Sequence, residues 1–152
     1  MRITSSVEYA TRLTVALGRC YGDENVTAEK LAKLENIPQD YVDQILMRLR
    51  RSGLIESQRG AGGGYSLSRP PSQIKLGDVL RAAEGHIFED VCGKYDHGLR
   101  DCRHQNSCAI SSVWKKLGTL IENYLDSVTI AHLLEEKPGC LKAADLLSNI
   151  VV

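Results

Sequence analysis

The sequence lacks several features that would assign it to a class at once. It contains no apolar run of the roughly 18–20 residues that a membrane-spanning helix needs. Its first residues carry neither the apolar stretch nor the small-residue cleavage site of a signal peptide. It has no net charge, because 19 Lys and Arg residues balance 19 Asp and Glu residues, which excludes a strongly basic nucleic-acid binder. We therefore expect a cytoplasmic protein without membrane contact.

Paired cysteine motifs are missing as well. The five cysteines include no Cys-x-x-Cys pair, so the sequence indicates neither a zinc ribbon nor a thioredoxin-like motif. An odd number of cysteines without a secretion signal argues against a disulfide framework. We also find no nucleophile–base arrangement and no acid pair of the kind that enzymes use, so we expect no catalytic activity.

The chain does contain the residues of a small helical domain. Its 152 residues, 43% of them hydrophobic, can bury a core without the help of disulfide bonds or bound metals. Ser5 and Glu8 have the spacing of a capping box, which predicts a first helix that begins at Ser5. Thr27 is placed to cap a second helix, and Pro38 to be the first residue of a third. Two short helices around a tight turn are typical of a helix-turn-helix motif, here over about residues 27–52.

The third predicted helix has two different faces. Its apolar face carries Tyr41, Val42, Ile45, Leu46 and Leu49. The opposite face carries Gln39, Asp40, Asp43, Gln44 and Arg51. Glutamine can bond adenine, and aspartate can accept from cytosine, so the polar face is a candidate for base recognition in the major groove. An ordinary solvated face is the alternative.

A glycine-rich hairpin follows the helix-turn-helix. Residues 54–58 and 65–67 predict two strands, with Arg59 and four glycines between them. The glycines lack the spacing of a nucleotide-binding loop. An arginine beside them can enter a narrow minor groove, so residues 54–68 are predicted to be the wing of a winged helix-turn-helix. A flexible hairpin tip without a partner is the alternative.

Positive charge is concentrated in the same region. Residues 44–70 contain five arginines and one glutamate, namely Arg48, Arg50, Arg51, Arg59, Arg69 and Glu56. Local charge on a neutral chain suits a selective DNA binder, because the charge has to meet phosphates at one place. On charge alone, a solvated arginine-rich helix end is the better explanation.

The second half of the chain contains one long amphipathic element. A short helix is predicted over residues 76–84, and the absence of periodicity from 86 to 107 predicts a loop. Beyond it an apolar stripe recurs every three or four residues, at Ile110, Val113, Trp114, Leu117, Leu120, Ile121, Tyr124, Leu125 and Val128. A small domain cannot bury so long a stripe by itself, so we expect a second copy of the chain to cover it.

These patterns predict a mainly α protein with a small β wing, in the α+β class. The expected parts are a winged helix-turn-helix domain over residues 1–84, a cysteine-containing loop over 85–108, a dimerisation helix with a short following helix over 109–137, and a C-terminal tail over 138–152. No pattern in the tail predicts its structure.

Three cysteines are grouped in and beside the predicted loop. Cys92, Cys102 and Cys108 are separated by irregular chain, and such thiolates can converge on one metal or cluster because they are soft ligands. Three inert, buried cysteines are the alternative, but the surrounding residues are too polar to bury plain thiols well. Cys20 and Cys140 stand alone, and we interpret them as structural.

Four segments match a known family, namely MRIT at residues 1–4, DYVDQIL at 40–46, LRRSGLI at 49–55 and RGAGGGY at 59–65. With these segments the sequence resembles, over most of residues 1–136, the family of winged-helix regulators that contains IscR, NsrR and CymR. The resemblance implies a homodimeric bacterial transcription factor whose long helices pair and whose wings flank a double-stranded DNA operator. The grouped cysteines place the chain with the IscR-like iron–sulfur members, which sense cluster status, redox state or nitric oxide.

The resemblance also implies roles for single residues. Cys92, Cys102 and Cys108 match the cysteines that hold the cluster, for which we favour the 2Fe–2S type over 4Fe–4S. The DNA-contacting residues predicted from the helix face, the wing and this match are Asp40, Asp43, Gln44, Arg51, Arg59 and Tyr65. Cluster-assembly proteins are expected as further partners.

The fourth cluster ligand is open. The IscR type has a histidine three residues after the third cysteine, where this chain has Ser111, and the first two cysteines are further apart than is usual. Glu8 is the first candidate, because in the NsrR-like branch an acidic residue at that position reaches the cluster of the other subunit. His104 and then His97, both in the loop, are the alternatives.

The expected function is therefore that of an iron–sulfur-dependent DNA-binding regulator. One alternative keeps the DNA binding but has no cluster, with cysteine oxidation or a partner protein as the signal. A zinc-stabilised version fits less well, because a fourth soft ligand is missing. A small iron–sulfur electron carrier is the alternative from another class.

Overall fold

The computed structural model describes residues 3–88 and 108–135. In chain order its helices are α1 (Ser5–Arg19), α2 (Ala28–Glu35), α3 (Gln39–Arg51), α4 (Leu76–Glu84), α5 (Ala109–Ser127) and α6 (Ile130–Glu135). The antiparallel strands β1 (Ile55–Gln58) and β2 (Gly64–Leu67) follow α3, and a 3-10 helix over Pro71–Gln73 precedes α4. The mainly helical α+β class is confirmed. Within these ranges no helix is long and apolar enough to cross a membrane.

The helix α1 begins at Ser5 as predicted, but its cap differs from the prediction. Thr4, not Ser5, is the N-cap, and its Oγ1 accepts a hydrogen bond from the Val7 N–H at 3.3 Å. The capping box between Ser5 and Glu8 is therefore wrong, because the cap lies one residue earlier and the third helical position is Val7. Thr4 Oγ1 also donates to Glu84 Oε1 at 2.5 Å, which ties the start of α1 to the end of α4.

The helix-turn-helix is built as its local signals predict, with one small shift. Thr27 Oγ1 accepts from the Lys30 N–H at 3.2 Å, which confirms the cap of α2. Asn36 ends α2 in the left-handed conformation at φ 52°, which makes the turn tight. Pro38 is the N-cap of α3 and not its first residue. Gly53 follows α3 at φ 72° and turns the chain toward β1.

One apolar core joins the two ends of the described chain. It contains Leu13 and Leu17 of α1, Leu46 of α3 and Ile130 of α6, each almost fully buried. A Cβ at Gly18 would lie 3.2 Å from the nearest carbons of Ile130 and Leu134, so α6 packs closely over the end of α1. The last helix thus completes the core of the helix-turn-helix domain.

The long helix α5 is different, because its apolar side chains lie outside this core. Those exposed at the surface are Ile110, Val113, Trp114, Leu117, Leu120 and Tyr124. Gly118 is the one buried residue among the 19 of α5. The described residues of a single copy therefore leave the apolar face of α5 open, as the stripe in the sequence predicts.

Candidate nucleic-acid interface

The recognition helix α3 buries one face and exposes the other. Val42, Ile45, Leu46 and Leu49 pack into the core, which confirms most of the predicted stripe. Tyr41 is an exception, since it is 52% exposed and meets the Tyr9 ring edge to face, with 6.1 Å between centroids. Tyr41 is the first residue of the apolar stripe, and its exposure shows that spacing alone overestimates burial at that end.

The polar face of α3 is free to meet a ligand. Gln39 Nε2 donates to Asp43 Oδ1 at 3.1 Å, a bond between adjacent turns. The side chains of Asp40, Gln44 and Arg51 are exposed and bond to no other residue in the part of the chain that the structure describes. Side chains without partners in their own chain can bond base edges or phosphates without breaking existing contacts.

The wing is a tight hairpin held against the helical domain. The Gly63 N–H donates to Gly60 O at 2.9 Å, and a Cβ on Gly63 would lie 2.5 Å from Gln58 O. Asn25 Nδ2 donates to Gln58 Oε1 at 2.8 Å and to Gly62 O at 3.2 Å, which fastens the wing to the loop before α2. Close packing therefore requires glycine at position 63, positive φ values favour it at positions 60 and 62, and the tip is a defined structure.

Tyr65 lies at the base of the wing. It pairs with Ser57 across the hairpin, and its backbone exchanges two hydrogen bonds with Val26, at 2.8 and 2.9 Å. Its side chain is half-buried against the core. This placement makes Tyr65 a support for the wing, and its predicted DNA contact stays a prediction.

The five arginines of residues 44–70 form two groups. Arg48 Nη1 donates to Ala83 O at 2.7 Å and to Ser6 Oγ at 3.2 Å. Arg69 donates to the backbone of Gln73 and Gly53. These two cations hold the domain together, so the sequence overestimates the charge available to phosphates.

The other three arginines are exposed. Arg50 and Arg51 end α3, and Arg59 lies at the start of the wing turn. Among residues 3–88 and 108–135 their guanidinium groups have no hydrogen-bond or ion-pair partner. The cations available to DNA are thus at the end of the recognition helix and on the wing.

Of the cysteines predicted to hold a cluster, the structure describes one. Cys108 is the N-cap residue of α5, with a half-buried, free thiol. Cys92 and Cys102 lie outside the described residues, as do the alternative ligands His104 and His97. In the described ranges no three metal-binding side chains are grouped, so the ligand set stays a prediction.

Glu8, the candidate fourth ligand, is exposed in the first turns of α1. Because Thr4 provides the cap, the Glu8 carboxylate is not used in a capping box. It makes no hydrogen bond and no ion pair with any residue described. It is therefore available to a ligand from outside its own helix.

Sequence reasoning missed the residues that hold the interface in place. Asn25, Arg48 and Arg69 contact partners that are, for the most part, more than 15 residues away in the chain. No local pattern signals such contacts. The high density of arginines next to a helix end is the one sequence feature which suggests that some of them stabilise the fold.

A helix-turn-helix with an exposed polar recognition helix and an arginine-bearing wing defines the class of winged-helix transcriptional regulators. The comparison of sequences identifies the family. Residues 3–136 match the family model of Rrf2, described as "Iron-dependent Transcriptional regulator". The chain belongs to the Rrf2 family, a family of transcriptional regulators and not of enzymes.

Curated relatives agree with this assignment. The chain is 32% identical over 137 residues to the putative HTH-type transcriptional regulator NMA1593 of Neisseria meningitidis serogroup A, covering 90% of both chains. It is 30% identical over 149 residues to the HTH-type transcriptional regulator IscR of Yersinia pseudotuberculosis, covering 98% of this chain and 88% of the relative.

Solved structures have the same fold. T. potens IscR superposes with a TM-score of 0.71 at 28% identity, covering 96% of each chain. CymR of B. subtilis, titled a global cysteine regulator, superposes with a TM-score of 0.71 at 27% identity, covering 88% of this chain and 96% of that one. The winged-helix resemblance found in the sequence is confirmed.

Proposed function

We propose that two copies of this chain pair through α5 and bind a DNA operator, and that an iron–sulfur cluster controls the binding. The observation that carries the proposal is the exposed polar surface of α3 and the wing on a transcriptional regulator fold. Gln44, Asp43 and Asp40 would meet base edges in the major groove. Arg59 would enter the flanking minor groove, and Arg51 would contact phosphates.

Dimerisation is supported by the open apolar face of α5. Six large hydrophobic side chains on this helix are between 37% and 62% exposed. An apolar face of this length is stable in water only when another surface covers it, and an identical helix is a matched cover. Pairing would also place two recognition helices on one duplex, as operators with two half-sites require.

Cys92, Cys102 and Cys108 would hold the cluster. The position of Cys108 fits this role, because a thiolate at a helix N-terminus is stabilised by the positive end of the helix dipole. Soft thiolates in a polar segment are the ligands that iron–sulfur clusters prefer. When bound, the cluster would supply an iron centre that oxygen, nitric oxide or iron supply can change.

Glu8 of the partner subunit is the proposed fourth ligand. Its free and exposed carboxylate supports this, since no contact in its own chain has to be broken. His104 is the alternative. Loss or change of the cluster would favour one of two arrangements of the cysteine segment and thereby alter the affinity of the dimer for DNA.

The first test is spectroscopic. Protein purified without oxygen should absorb visible light and contain iron and sulfide, and Cys92→Ala, Cys102→Ala and Cys108→Ala should each abolish this absorption. Cys20→Ala and Cys140→Ala are the matched controls and should keep it. Equal iron in all five variants would contradict the ligand assignment.

The fourth ligand is tested by a near-isosteric change. Glu8→Gln removes the charge and should make the cluster more labile, seen as faster loss of visible absorption in air. The fold should be unaffected, because the side chain is exposed and makes no hydrogen bond or ion pair with described residues. Unchanged lability in Glu8→Gln, together with loss in His104→Ala, would assign the role to His104.

A second candidate function is a cluster-free regulator controlled by cysteine oxidation. The likeness to CymR, whose title names a cysteine regulator, favours this candidate. Colourless protein that binds duplex DNA only in its reduced form would support it. Visible absorption without salt-sensitive duplex binding would instead support the electron carrier.

A further inference from the structure

The long helix α5 is attached at two separate points to α4 and the segment that follows α4, and the first point is an ion-pair cluster. Arg81 Nη2 donates to Asp126 Oδ1 at 2.6 Å and to Asp78 Oδ1 at 2.8 Å. A Cβ at Gly77 would overlap Asp126 Oδ1, so the end of α5 lies directly on the first turn of α4. Two backbone hydrogen bonds, from Leu76 and Ile130, close the same junction.

The second point is an aromatic contact near the middle of α5. Phe88, four residues after α4, lies over Gly118, the one buried residue of α5. A Cβ on Gly118 would be 2.7 Å from Phe88 Cδ1, so any larger side chain at this position has to displace the ring. Gly118 and Asp126 are eight residues apart, about 12 Å along a helix. Attachment at two such points fixes the direction of α5 relative to α4.

On its other side, α4 is fastened to the DNA-binding elements. Arg48 of α3 donates to Ala83 O at 2.7 Å, near the C-terminal end of α4. Arg69, just after β2, donates to Gly53 O at 3.4 Å and lies 3.7 Å from Asp78. Asp78 therefore contacts both the arginine that holds the wing and the arginine that holds α5.

We propose that the contacts Arg81–Asp126 and Phe88–Gly118 determine which spacing between two DNA half-sites the dimer accepts. The inference rests on the proposed function, since α5 sets the direction of the second subunit only if it forms the dimer. One base pair changes the distance between half-sites by about 3.4 Å and their relative rotation by about 34°. A dimer whose α5 is held by both contacts resists that rotation, whereas one that lacks either contact resists it less.

The test measures affinity as a function of spacing. A half-site is first selected by the wild-type protein from a randomised duplex pool, and two copies are then placed at a series of spacings. Wild type should bind its best spacing about tenfold or more tightly than spacings one or two base pairs away. Asp126→Asn and Phe88→Ala should flatten this profile to within about threefold, while affinity for a single half-site stays unchanged.

Matched variants separate the spacing role from general damage. Glu122→Gln removes the same charge from the same helix at an exposed site and should leave the profile sharp. Gly118→Ala displaces the Phe88 ring by one methyl group and should broaden the profile, even if Phe88→Ala unfolds. Sedimentation analysis should find the same dimer content in every variant.

Two failures are distinguishable. A sharp wild-type profile that stays sharp in Asp126→Asn, Phe88→Ala and Gly118→Ala would overturn the spacing role alone. A wild-type protein that binds all spacings like a single half-site would contradict the proposed homodimeric operator binding, and the spacing role with it.

Discussion

Arginines with nearly the same sequence surroundings have different tasks in this molecule. Arg48 bonds the end of α4, whereas Arg51, three residues later, has no partner among the described residues. Arg69 bonds the backbone behind the wing, whereas Arg59 lies free on it. The distinction matters because only the free cations can meet DNA without loosening the domain.

This division gives a prediction for the DNA interface. Arg59→Ala should weaken operator binding by about 1–3 kcal/mol, most of all where the flanking minor groove is narrow. Gln44→Ala should lose discrimination at one or two base pairs, while non-specific affinity stays nearly constant. Arg51→Ala should weaken binding to all sequences alike, and it should reduce by about one the slope of log affinity against log salt concentration.

Titrations of these three variants against operator and scrambled duplexes at several salt concentrations are the measurement. Wild-type affinity in both Arg59→Ala and Gln44→Ala would contradict the proposed docking. Arg69→Ala is an informative control, because it should lower the melting temperature while the slope of log affinity against log salt concentration stays that of wild type.

At this scale, sequence predicted what is local and missed what is distant. Thr27 was recognised as a cap because its partner, the Lys30 N–H, is three residues away. The Ser5–Glu8 spacing predicts a cap at Ser5, whereas Thr4 provides it, and Thr4 Oγ1 also bonds Glu84, 80 residues further along the chain. Asp43 and Gln44 were placed on the exposed face correctly, since the helical period alone decides that.

At the scale of elements, patterns were most reliable where both ends of a helix carry signals. The helix over residues 76–84 was predicted with the bounds that α4 has, because Gly85 ends it in a left-handed conformation at φ 83°. The start of α3 was displaced by one residue, since Pro38 fits both the N-cap and the first position. The packing of α5 against α4 and Phe88 could not be predicted, because nothing in the sequence around Gly118 indicates that the Phe88 ring lies on it.

The apolar face of α5 gives a second prediction. Leu120→Glu places a charge on that face and should raise the dimer dissociation constant by at least about tenfold, because burying an unpaired carboxylate is costly. Thr119→Glu is the matched control, since it adds the same charge to the opposite side of the helix. Sedimentation velocity over a range of concentrations is the measurement.

Equal dissociation constants for the two variants would mean that this face of α5 is not the dimer interface. Both proteins should keep the helix content of wild type, because Leu120 and Thr119 are exposed in the single chain.

At the scale of the whole molecule, the first and last described helices share one core. Ile130 of α6 is fully buried beside α1, although the chain between them contains the wing, the cysteine segment and α5. The sequence pattern does not predict this contact, because a helix of six residues is too short for its apolar spacing to indicate which element it packs against. The core of the helix-turn-helix domain therefore includes α6, which follows α5 directly, so this core is complete only when the end of α5 is in its position in the fold.

This arrangement gives a third prediction. Ile130→Ala should lower the free energy of unfolding by about 2–5 kcal/mol, because it leaves a cavity between α6 and α1. Leu117→Ala, at an exposed site of α5, should cost much less in the isolated chain, and the loss should grow with protein concentration as dimers form. Chemical denaturation at two protein concentrations is the measurement, and equal losses for both variants would contradict the shared core.

The open face of α5 has a consequence for how the protein would respond to its own abundance. If DNA binding requires two chains, operator occupancy below the dimer dissociation constant rises with the square of chain concentration. A modest change in synthesis or degradation would then produce a steeper change in the regulated genes. By favouring dimerisation, the six exposed side chains of α5 would thus make operator occupancy depend steeply on the concentration of the protein, independent of any signal that the cysteines receive.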